Sequence, residues 1–260
     1  MRNLFFKPYI GSNHNRCLVL LATSPCNHSN DCTYFTDCTI NGNTRSYNDK
    51  CPYRYESFDS PGELINLEGH VSFVVEQYIR QSYFDYDERR SHTFTKLTNA
   101  LSLALIDKEP STEDERRAIW ENLICTELCQ HFIPSCVNRK GIETLPSDFG
   151  ITKDFEAIEE IIEEFDIHRI LILGKASFDY FEQRVSELKN CELTHGHESG
   201  YWHQLAIDSK IIDILYAYHP SSSSFYDGQK SESKLVEWLR QFLNTDVDWN
   251  SLRNWTPFSK

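Results

Sequence analysis

No apolar run in this 260-residue chain approaches the ~20 residues of a membrane-spanning helix, which excludes a protein organised around such a span. The opening stretch MRNLFFKPYIG has one short apolar patch broken by Lys7 and Pro8, without the continuous apolar region and small-residue cleavage site of a signal peptide. A cytoplasmic location is the expectation. Neither a G-x-G-x-x-G fingerprint nor a Walker A loop occurs, and no internal repeat is present. Positive charge is scarce: 26 Lys and Arg against 39 Asp and Glu give a formal net charge of -13. The long-range field therefore opposes phosphates, so any nucleic-acid binding has to rest on a local patch.

What is present suits one globular α/β domain spanning 1–260. Apolar residues make up 40% of the chain and aromatic residues 13%, enough for a substantial core at this length. Cys17 to Leu21 reads as a buried strand that runs into Thr23, Ser24, Pro25, Asn27 and His28, and an open α/β sheet places ligands at such strand ends. Phe94, Leu97, Leu101 and Leu105 mark a helix ending before Pro110. Ser111 or Thr112 followed by Glu113, Asp114 and Glu115 starts another, which runs to about Trp120. Val71, Val74, Val75, Tyr78 and Ile79 share one helix face.

Further on, Phe155, Ile158, Ile161, Ile162 and Phe165 form a helix stripe. Glu159, Glu160, Glu163 and Glu164 are read as its solvated face. RILIL at 169–173 is a strand, and a helix follows from about Ser177. This α-β-α run predicts a parallel sheet with flanking helices. Strands are expected around Tyr201 to Ile207 and Ile211 to Tyr218, with a last helix carrying Leu235, Trp238, Leu239 and Phe242. The expected architecture is a three-layer α/β/α sandwich on a mainly parallel sheet of four or five strands.

Nine cysteines without an export signal point to reduced thiols or metal ligands rather than a disulfide framework. Residues 26–61 have little periodicity and read as a long insertion after the first strand, of a length that usually has a staple or a job. Cys26, Cys32, Cys38 and Cys51 fall within it at C-x5-C-x5-C-x12-C. Four thiolates could hold zinc or an iron-sulfur cluster and so order a segment that lacks core residues; unliganded or redox-active thiols are the alternative. His14 and His28 are possible substitute ligands. The segment ENLICTELCQHFIP is helix or strand, and either reading sets Glu127 among apolar residues, where a carboxylate is paired, protonated or poised for a ligand.

Four segments, KPYIG, ATSPCNH, RILILG and HPSSSSF, together resemble the uracil-DNA glycosylase superfamily across most of the chain. Ala22, Thr23, Ser24 and Pro25 fall on that family's first strand-end motif, Glu127 on its base-reading Asn, and His219, Pro220 and Ser221 on its H-P-S motif. The resemblance implies that the protein acts on DNA with a flipped base. Thr23, Pro25 and Glu127 would line the base pocket, and His219 would stabilise the departing base. Ser221 and Ser223 would hold phosphates, with Phe225 or Tyr226 as a wedge.

Two departures bear on activity. Ser24 replaces the family's carboxylate or amide, which leaves Asn27 or His28 to orient water. Glu127 replaces Asn, and a carboxylate accepts from an amine such as cytosine N4, which points away from uracil. The expectation is a DNA glycosylase for cytosine-type or modified-cytosine bases, a specificity that would fit defence against phage DNA. The alternative is a catalytically inactive glycosylase-fold module that binds nucleic acid, a nucleotide or a protein partner. If the four cysteines act as one site, elemental analysis of purified protein will find about one zinc, or one cluster's iron, per chain; folded protein free of both metals would contradict the site.

Overall fold

The computed structural model describes residues 8–14, 16–21, 79, 92–128, 151–195, 202–220 and 234–243. In chain order these form β1 (Tyr9–Ile10), β2 (Cys17–Leu21), α1 (His92–Ile106), α2 (Glu113–Trp120) and β3 (Ile124–Glu127). There follow α3 (Ile151–Glu164), β4 (Arg169–Leu173), α4 (Lys175–Glu187), β5 (Cys191–His195), β6 (Trp202–Ile207), β7 (Lys210–Ala217) and α5 (Lys234–Leu243). Of the expected Val71–Ile79 helix face, only Ile79 is described; it is helical and fully buried.

The seven strands form one sheet in the order β1-β3-β2-β4-β7-β6-β5. Its centre, β3-β2-β4-β7, is parallel, whereas β1 pairs antiparallel with β3, and β6 lies antiparallel to both β7 and β5. The sheet is therefore larger and more mixed than the mainly parallel one of four or five strands expected from the sequence. The reason lies in the connections. Asp208 and Ser209 alone separate β6 from β7, and a parallel crossover needs a dozen residues or more. Asp208 takes a left-handed backbone, φ 50°, to make this turn. β1 has two residues and β5 is a polar edge strand, so neither carries a strong apolar signal.

β2 and β4 are buried along their whole length, as strands covered on both faces must be. Alternate strand residues feed two separate cores. Cys17, Val19, Leu21, Cys125, Leu171, Leu173, Leu215 and Ala217 pack with α1, α2 and α5. Leu18, Leu20, Ile124, Ile170, Ile172, Ile212 and Ile214 pack with α3 and α4 on the other side. Helices thus cover both faces of the sheet. The glutamates of α3 sit where a solvated face would put them, with Glu163 and Glu164 exposed and Glu159 and Glu160 half-buried.

Local chemistry sets the element ends. At α2, Thr112 accepts from the Glu115 amide at 3.2 Å while the Glu115 carboxylate accepts from the Thr112 and Ser111 amides, a reciprocal cap. Trp120 ends that helix fully buried and donates its indole N–H to Thr98 Oγ1 at 2.9 Å. α3 closes with Asp166 in the left-handed region, φ 49°; the amides of Ile167 and Asp166 bond back to Ile162 and Glu163. α4 begins at Lys175, two residues earlier than its apolar stripe indicates.

The edge at which the four parallel strands begin is tied shut by charge. The Asp166 carboxylate meets Lys210 Nζ at 2.9 Å, Arg16 Nη1 at 3.1 Å and His168 Nε2 at 3.4 Å, linking the starts of β2, β4 and β7. Lys210 and the neighbouring cations hold Asp166 below the usual carboxylate range. Gly11 adds a backbone constraint: its amide donates to the Leu123 carbonyl at 3.0 Å, and a β-carbon there would run into the Glu121 carbonyl. Gly11→Ala should therefore destabilise the fold by roughly 3 kcal/mol, from the cost of overpacking against backbone. The check is a lower urea midpoint at unchanged slope; a midpoint equal to wild type would show that the β1 crossing is not rigid.

Candidate functional site at the strand ends

In order of appearance, the parallel strands lie second, first, third, fourth across the sheet. The chain leaves β2 in one direction towards β3 and later fills the other side with β4 and β7. The reversal between β2 and β4 is a topological switch point, and open α/β sheets bind ligands in the crevice outside the strand C-termini there. Hydrogen bonds hold these ends level: Leu128 N donates to Leu21 O at 3.0 Å, and Gly174 N donates to Ala217 O at 2.7 Å.

Two of the residues singled out from the sequence stand at this edge. Glu127 ends β3 opposite Leu21 and is 7% exposed, and the segment around it is strand rather than helix. It falls on the same face as Cys125, and its charge adds to burial in pushing the Cys125 thiol well above the ordinary range. His219 follows β7, one strand beyond the switch point on the opposite side, and is half-buried. Burial alone lowers its pKa, so a neutral imidazole is favoured at pH 7. Glu127 and His219 therefore flank the switch point across three strand spacings, roughly 14 Å at about 4.8 Å per strand.

Thr23, Ser24, Pro25, Asn27 and His28 lie outside the described residues, as do Ser221, Ser223, Phe225 and Tyr226. The same holds for Cys26, Cys32, Cys38 and Cys51. Among the described residues no group of three or more His, Cys, Asp or Glu side chains is placed to hold a metal ion. His14 sits at the other edge of the sheet, in edge-to-face contact with Phe165 at 5.1 Å. Cys17, Cys125 and Cys191 are free. Burial raises Cys17 to about 12 and Cys191 to about 11, so these thiols are protonated and unreactive.

Two features of this edge take their form only in the fold. Gly174 is buried with φ 103°, a backbone that a side chain rarely adopts, and it turns β4 directly into α4; its signal was a glycine straight after an apolar strand. The ring of Phe178, in the first turns of α4, stacks on His203 at 4.4 Å and on Tyr216 at 4.7 Å, which stiffens the end of β7 just before His219. Helical spacing marks Phe178 only as core.

Comparison with protein-family models finds no match for this chain, and no curated protein matches it. Among the described residues, no helix is long and apolar enough to cross a membrane.

Neutral His219 has a consequence for stability. A histidine whose folded pKa lies below its unfolded value of about 6.5 contributes fully above that value. The contribution falls as pH drops below 6.5, because the unfolded chain takes up the proton first. His14 shifts in the same direction, from burial and the nearby Arg16. Wild-type stability measured by urea unfolding should thus fall more steeply between pH 7.5 and 5.5 than that of His219→Gln; equal slopes would place His219 in water.

Proposed function

We propose that the protein is a DNA glycosylase of altered specificity, a divergent relative of the uracil-DNA glycosylases, hydrolysing the N-glycosidic bond of a flipped cytosine-type base. The observation that carries this reading is the pairing of a buried carboxylate, Glu127, with a neutral imidazole, His219, on either side of the switch point. The resemblance of the strand-end segments assigns these same two positions to base reading and base departure.

The chemistry asks for such a pair. As the bond between C1′ of the sugar and the ring nitrogen breaks, its electron pair leaves with the base and the sugar gains oxocarbenium character. Water then adds at C1′ and gives up a proton, leaving an abasic site. A neutral imidazole donates a hydrogen bond to the base oxygen as negative charge builds there, and a site with little water strengthens that bond. A buried carboxylate at the base edge accepts from an exocyclic amine and so selects cytosine N4 over the uracil carbonyl. Orientation of the attacking water falls to Ser24, Asn27 or His28.

The test is abasic-site formation on oligonucleotides carrying uracil, cytosine, hydroxymethylcytosine or glucosylated hydroxymethylcytosine. The expected result is excision of a cytosine-type base. Glu127→Gln should shift preference towards uracil by about tenfold or more, since one good base contact is worth roughly 1–3 kcal/mol of discrimination. Folded protein that binds these oligonucleotides but yields no abasic product would sink the enzymatic reading in favour of a binding module.

A further inference from the structure

The net charge of -13 leaves open how such a protein would hold DNA at all. Seven of the described cations are already held by carboxylates, and Lys96 and Lys189 stand outside these pairs. Arg16 and Lys210 share Asp166, Lys108 sits on Glu115, Arg117 on Glu113, Lys175 on Asp179, Arg184 on Glu187, and Arg240 on Asp107 and Glu237. An approaching phosphate would have to compete with a carboxylate already in place at each of these.

Apolar exposure tells the complementary story. Ile211 and Tyr218 are the exposed large hydrophobic side chains among the described residues, at 68% and 42%. They lie at opposite ends of β7. Ile211 is beside the edge closed by Asp166, whereas Tyr218 stands at the candidate site, between the last residue of β7 and His219. The β7 end that carries it is braced by Tyr216 stacked on Phe178. A rigidly based aromatic ring open to solvent offers a surface for a nucleobase, and stacking needs no phosphate neutralisation.

We infer that Tyr218 is a base-stacking residue and that the protein takes its nucleic acid as a single strand, held by stacking more than by charge. This rests on the glycosylase reading and names its substrate class. Extracting a base from a duplex costs a few kcal/mol, which phosphate contacts would have to offset; a single strand has already lost most of that pairing. The ring of Tyr218 then replaces a neighbouring base in the stack beside His219.

The experiment measures fluorescence anisotropy of a short labelled oligo-dC, single-stranded or annealed to its complement, against wild type, Tyr218→Ala and Tyr218→Phe, with circular dichroism confirming folding. The single strand should bind more tightly than the duplex. Its affinity should fall by less than about tenfold between roughly 50 and 200 mM salt, as one or two phosphate contacts allow. Tyr218→Ala should weaken binding about tenfold or more, whereas Tyr218→Phe, which keeps the ring, should stay within about twofold. Preference for duplex, a steep salt dependence, or an alanine variant that binds like wild type overturns the inference. If abasic sites still form in that case, the glycosylase reading stands alone; protein that neither binds nor excises overturns both.

Discussion

Everything about this protein's chemistry depends on the covering of β2 and β4 on both faces. Every residue of CLVLL and RILIL is buried, six facing one helical layer and four facing the other by alternation of the pleat. Strands filled in this way have no open face on which to build a site. Polar side chains meet a ligand only where strands end, and the two edges of the parallel core have become different surfaces.

At the edge where strands begin, Asp166 draws Arg16, His168 and Lys210 together, and the Arg16 carbonyl takes hydrogen bonds from the amides of both His168 and Arg169. Its donors and charges are engaged in joining elements. At the edge where strands finish, Glu127, Gly174, Tyr218 and His219 follow one another across the sheet. Here lie a buried carboxylate, a half-buried neutral imidazole and an exposed ring. The acidic character of the chain fits this division: most of the ion-paired cations join parts of the scaffold, and the proposed recognition rests on hydrogen bonding and stacking.

Much of this was legible in the sequence. The apolar runs of β2 and β4 announce doubly covered strands, and Ser111 or Thr112 ahead of three carboxylates locates the start of α2 to within a residue or so. β3 was not legible because Ile124–Glu127 has apolar residues compatible with either period, and only pairing with β2 decides for strand. β5 and the antiparallel direction of β6 are not legible for a different reason. The two-residue turn at Asp208 and Ser209 carries the direction of β6, while β5 alternates weakly because it lies at the sheet's rim. At the site, Glu127 is visible as a carboxylate among apolar residues and His219 as the polar residue after an apolar strand. The left-handed backbone of Gly174 and the stacking of Phe178 on Tyr216 arise from tertiary approach, which no local pattern encodes.

In the proposed function the ligand binds where the strands end, and two histidines at opposite edges of the sheet make that measurable. Imidazole resonances of His219 and His168 can be followed by NMR while a single-stranded oligonucleotide carrying a pyrrolidine, a cationic mimic of the oxocarbenium-like sugar, is added. A saturable shift of the His219 signals is expected, with those of His168 unchanged. Saturable perturbation of His168 with His219 unmoved would contradict it and put the functional surface at the other edge of the sheet.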